Sequence, residues 1–103
     1  MKFDHLKYRN RRNSDSELTE QELAFYSEVL KNSKDIIPGF TVTNSGGDFR
    51  PGFMGMRQAI EILDHYELTV GLSDNQKILM AACELGIQHI NWERREQLRG
   101  ELG

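Results

Sequence analysis

Hydrophobic positions in this chain recur mostly three and four residues apart, the spacing of one face of an α-helix and not the alternation of a strand. The sharpest local signal is Leu18-Thr19-Glu20-Gln21-Glu22-Leu23. Thr19 can accept from the Glu22 amide while the Glu22 carboxylate reaches back to the Thr19 amide, and Leu18 and Leu23 stand at the staple positions around this capping box. Leu23, Tyr26 and Leu30 then repeat at helical spacing with Val29 beside them, which predicts a helix over 20–32. Ile36-Ile37-Pro38-Gly39 ends it, because proline disfavours a helical residue before itself and Pro-Gly is turn chemistry. Phe40-Thr41-Val42-Thr43 alternates as a short strand does, but Asn44-Ser45-Gly46-Gly47 stops it at once, so a long loop with at most a small hairpin near 40–47 is expected.

From Phe49 the positions Phe53, Met56, Ile60 and Leu63 repeat at spacings of four and three, predicting a second helix over 49–66 with Asp48 as its cap and Pro51 in its first turn. Gly52, Gly55 and Ala59 share a neighbouring stripe on which another backbone can approach closely. Ser73-Asp74-Asn75-Gln76 offers another capping box, and Ile78, Leu79, Ala82 and Leu85 carry a third helix over 74–85. Gly86 is placed as a left-handed C-cap, and Asn91 as the cap of a last helix over 92–99. The expectation is one all-α domain, a small bundle of about four helices, with residues 1–13 as a basic arm.

Size and composition agree with one core. A chain of 103 residues with 38 % hydrophobic and 28 % charged positions has room for one domain and lacks the apolar depletion of disordered segments. No apolar run approaches the roughly 18–20 residues of a membrane helix, and the start Met1-Lys2-Phe3-Asp4-His5 has no apolar centre of a signal peptide, so a soluble, cytoplasmic protein with no membrane partner is expected. Cys83 is the single cysteine, so no internal disulfide supports the fold. The net charge of −3 is unevenly spread: residues 1–13 carry five basic residues against Asp4, whereas 14–90 carry five against twelve acids and 91–103 balance three against three. The arm is basic and the body acidic.

Catalytic chemistry is not signalled. His5, His65 and His89 lie at no helical metal-site spacing from a second ligand, Asp64-His65 reads as a surface pair, and Cys83 reads as an inert packing thiol. Nucleophile elbow, Walker loop and dinucleotide fingerprint are all missing, and Ser45-Gly46-Gly47 is only a generic anion nest, so neither enzyme activity nor a cofactor or metal is expected. Two segments point to binding instead. Ala82-Cys83-Glu84-Leu85-Gly86-Ile87 resembles the turn of helix-turn-helix proteins, in which case Gln88, His89, Asn91, Arg94 and Arg95 would face a groove or its phosphates. Trp92 and Arg95 depart from that pattern by occupying places where the second helix buries aliphatic residues. The arm Lys7-Tyr8-Arg9-Asn10-Arg11-Arg12 sets cations around an aromatic, as segments that stack on bases or hold phosphate do; the same cations can instead fold onto Asp15, Glu17, Glu20 and Glu22.

Leu18-Thr19-Glu20-Gln21-Glu22 opening one helix, and Gly52-Phe53-Met54-Gly55-Met56-Arg57-Gln58-Ala59-Ile60 in the next, resemble the helical hairpin of small phage proteins that sequester cyclic oligonucleotide signals. The chain departs from that pattern in the glycine-rich loop between the two helices and in the long stretch after them. The resemblance implies a sequestering protein for such a signal. The residues themselves favour a small non-catalytic regulatory or inhibitory protein, of phage or mobile-element type, acting through a protein partner. The alternatives are a helix-turn-helix DNA-binding protein and a cyclic-oligonucleotide sequestering protein, and homo-oligomers fit any of the three.

Overall fold

A computed structural model describes residues 3–40, 42 and 52–102. It is all-helical, as the spacing predicts: α1 (Glu20–Lys31), α2 (Phe53–Thr69) and α3 (Asp74–Leu102) follow two 3-10 turns, His5–Tyr8 and Arg11–Asn13, in the arm. The capping boxes form as read. Thr19 Oγ1 accepts from the Glu22 N–H at 3.1 Å and Glu22 Oε1 from the Thr19 N–H at 3.0 Å; the Ser73 hydroxyl accepts from the Gln76 N–H at 3.2 Å and the Gln76 side chain from the Ser73 N–H at 3.0 Å.

Several boundaries differ from the sequence reading, by one residue at the end of α1, which closes at Lys31 and not at 32, and by more elsewhere. Helix α2 begins at Phe53, because Gly52 is extended (φ −73°, ψ 147°) at the N-cap, and it runs three residues past Tyr66 to Thr69; the expected start at Phe49 and its cap Asp48 lie outside the described residues. Of the expected hairpin, Thr41 and residues 43–47 also lie outside them, as does the Ser45-Gly46-Gly47 nest, while Ile37 and Phe40 form one isolated bridge around Pro38-Gly39, with Gly39 at φ 74°. The largest correction concerns the third and fourth predicted helices, which are one continuous helix, α3. Gly86 lies inside it and makes no turn. A Cβ at Gly86 would overlap the Met56 sulfur and stand 3.4 Å from the Tyr26 ring. Glycine here leaves room for the Met56 side chain against α3, at a position where glycine costs a helix roughly 1 kcal/mol.

Helix α3 is the axis of the molecule. At about 1.5 Å per residue its 29 residues span roughly 43 Å, against a longest molecular extent of 48 Å. The helices α1 and α2 and both arm turns pack against it. Residues 79–88 are all buried, because the segment Leu79-Met80-Ala81-Ala82-Cys83 is apolar on every face and demands cover all round. Met56, Ala59, Ile60 and Leu63 of α2 cover one side, the predicted seam, with Phe53 packed at its margin. Leu30, Phe25 and Tyr26 of α1 cover another. The third side carries Glu84 and Gln88, and there the arm closes the bundle.

Candidate functional site

Glu84 projects from the buried middle of α3 and is 1 % exposed. A carboxylate in that position requires a charged, hydrogen-bonding partner. Arg12 supplies one twice: its backbone N–H donates to Glu84 Oε1 at 2.9 Å and its Nη1 to Oε2 at 2.6 Å. One turn further along α3, Gln88 accepts from Arg11 Nε at 2.6 Å and donates to the Ser16 carbonyl at 2.9 Å. Asn91 donates to the carbonyls of Arg12 and Ser14 at 2.9 and 3.2 Å. Arg11 also reaches α1, where its Nη2 donates to Glu22 at 2.9 Å. Farther up the arm, His5 and Arg9 converge on Glu67 of α2, His5 at 2.5 Å. The arm can follow this course because Asn10, between the two 3-10 turns, takes the left-handed conformation (φ 68°), which asparagine tolerates better than most residues.

The electrostatics follow from these contacts. Burial works against ionisation of Glu22, but the Thr19 N–H and the Arg11 guanidinium outweigh it and hold the carboxyl below its ordinary range. Glu67 is lowered first by the hydrogen bond from His5, with Arg9 adding to it against a burial penalty. The Cys83 thiol, fully buried beside Glu84, is pushed strongly upward by desolvation and is a packing residue.

Two segments that the sequence treats separately thus meet, and they meet each other. Of the predicted contact residues, Arg9, Arg11, Arg12, Gln88 and Asn91 bind within the chain. Tyr8 stacks with Phe3 and with Phe25 of α1, at centroid distances of 5.9 and 6.2 Å. His89 lies in an aromatic run between Tyr26 (5.9 Å) and Trp92 (5.7 Å). Arg94 covers the Phe53 ring at 5.2 Å, and Arg95 reaches Asp15 at 3.4 Å. Lys7 is exposed. Of the four acids the sequence offers the arm's cations, Glu22 takes Arg11; the other principal acceptors, Glu67 and Glu84, are ones that reading missed. The signal for Glu84 was present as a lone acid within an apolar helical stretch. With α3 unbroken at Gly86, the residues after it do not form a separate recognition helix, and the expected helix-turn-helix geometry is not made.

Among the described residues no group of three histidine, cysteine or acidic side chains is arranged to hold a metal ion, and no helix is long and apolar enough to cross a membrane. A cleft of about 590 Å³ opens between the end of α1 and the start of α3, lined in part by Glu28, Asn32, Lys34 and Ser73. None of the sequence-predicted site residues lines it, which leaves the arm–α3 junction as the place where the predicted residues gather. No protein-family model, curated protein or solved structure matches the chain.

Proposed function

We infer that this chain is a small non-catalytic regulatory or inhibitory protein that works by contacting a protein partner whose surface is basic or mixed in charge. The observation that carries this reading is the inward turn of the arm's arginines. Arg9, Arg11 and Arg12 all pair with carboxylates of the helices, so the cations best placed to meet phosphate are already neutralised. Of the twelve acids over residues 14–90, Glu22, Glu67 and Glu84 are taken up by the arm, which leaves nine acids against five bases for a partner to meet. Such a surface repels a nucleic-acid backbone and attracts cationic protein surfaces. Apolar contact area is on offer as well: at the end of α2, Leu68 and Val70 are 86 % and 81 % exposed. Single exposed apolar residues are common on any protein, so the charge pattern carries more of the argument.

The test pairs two binding measurements on the intact protein. Mobility of duplex DNA across a salt series is expected to stay unshifted near physiological salt. Capture of a protein partner from lysate is expected to weaken as salt rises and to fall in a charge-neutral Leu68→Ser, Val70→Ser variant that keeps its melting temperature. DNA retention that weakens with salt, together with no capture, overturns the reading.

A further inference from the structure

The arm is held almost entirely by polar groups, and that makes it exchangeable. No residue of either 3-10 turn is buried, and the first fully buried side chain after the arm is Leu18. Its apolar contribution is the stacking of Phe3 and Tyr8 on Phe25. Against this stands a dense set of directional contacts to two consecutive arginines. Glu84 takes both the backbone N–H and the guanidinium of Arg12, Gln88 and Glu22 divide the guanidinium of Arg11, and Asn91 takes the Arg12 carbonyl. The groove therefore reads the main chain and two adjacent side chains of an Arg-Arg step. Nothing in these contacts requires that the segment be covalently part of this chain.

We propose that the groove formed by Glu22, Glu84, Gln88 and Asn91 is a di-arginine recognition site, in which the protein's own arm acts as an internal competitor that a di-arginine segment of a partner protein displaces. The occupant is fixed by charge complementarity: Glu84 is buried and must be matched by a cation, and Arg11 bridges Gln88 through Nε and Glu22 through Nη2, a fork that lysine cannot reproduce. This inference rests on the reading of a basic protein partner and gives that partner's docking element. A groove closed by its own arm lowers the apparent affinity for any competitor by the fraction of molecules in which the arm is open.

The experiment uses the full chain and a fluorescently labelled synthetic peptide of residues 7–16, followed by polarisation. In an Arg9→Ala, Arg11→Ala variant the arm is loosened while the Arg12–Glu84 pair is kept. This variant is expected to bind the peptide about tenfold more tightly than the unaltered chain, since more of its molecules are open. Adding Glu22→Gln in the same background, where the arm no longer uses that acid, is expected to reverse the gain, and a peptide with lysine for every arginine is expected to bind about tenfold less well. Equal affinity in the unaltered and loosened chains overturns the site while leaving the basic-partner reading standing, because the peptide then binds elsewhere on the acidic body. No binding to either chain overturns the site and counts against the broader reading too. A loosened chain that sediments as a dimer would make a second copy's arm the occupant and overturn the assignment to a different protein.

Discussion

Arg12→Ala tests the architecture most severely, because it removes one half of a contact whose other half has nowhere to go. Glu84 is 1 % exposed and spends both carboxylate oxygens on Arg12. The substitution leaves the backbone N–H on Oε1 and strands Oε2. Breaking a buried pair by removing one partner typically costs 3–5 kcal/mol. The Arg12 side chain is 30 % exposed, so water can enter the gap and the lower end, about 3 kcal/mol, is expected. For a domain of about 100 residues this lowers the melting temperature by roughly 12 °C or more. Circular dichroism at 222 nm during heating, and urea midpoints at 25 °C, measure it directly. The companion variant Arg12→Ala, Glu84→Gln removes the stranded charge and keeps an acceptor for the Arg12 N–H, so it should recover about half of the loss. A loss below about 1 kcal/mol, or no recovery in the double variant, would refute the claim that a buried charge holds the arm.

Four further outcomes follow from the same geometry. Thr19→Ala should lower stability by about 1 kcal/mol, read as a shifted urea midpoint with an unchanged slope, because it removes the N-cap acceptor of α1. Ile60→Ala, at a position 2 % exposed on the α2 seam, should cost about 2–5 kcal/mol; intact stability with lost self-association in sedimentation would make that stripe an oligomer interface. Gly86→Ala should gain less than the roughly 1 kcal/mol of helix propensity, because the Met56 side chain must move aside for the new methyl, and in a Met56→Ala background the full gain should appear in denaturation. Acidification should weaken the fold: Glu22 and Glu67 have folded-state values below their unfolded ones, so their stabilisation is complete above about pH 4.5 and is lost as pH falls through the depressed values. Urea midpoints at pH 7 and pH 3.5 check that sign, which Glu22→Gln, Glu67→Gln should reduce.

Much of the fold was legible because it is written in local chemistry. Both capping boxes form at the predicted residues, and Met56, Ile60 and Leu63 line the core as their spacing requires. What local chemistry could not reveal was a glycine serving a distant neighbour. In sequence Gly86 is indistinguishable from a C-cap, and only the Met56 side chain packed over it shows what a glycine serves inside a continuous helix. The arm–α3 junction was half legible for the same reason. Arg11, Arg12, Gln88 and Asn91 stood out by residue type, but the contacts between the arm and α3 join residues more than 70 positions apart, as Arg11 and Gln88 are, and no periodicity records that pairing. The lone acid at position 84 was the one sequence clue that something cationic had to arrive there.

The proposed function requires an acidic surface directed at a cationic protein partner, with the arginines of the arm already engaged. Its most direct test is a polarisation titration of labelled duplex DNA beside a labelled arginine-rich peptide, in one buffer series from low to physiological salt. The expected result is that the peptide binds and that duplex DNA shows no measurable binding at physiological salt. A DNA affinity in the micromolar range or tighter that weakens steeply with salt and disappears in an Arg94→Ala, Arg95→Ala variant would contradict it.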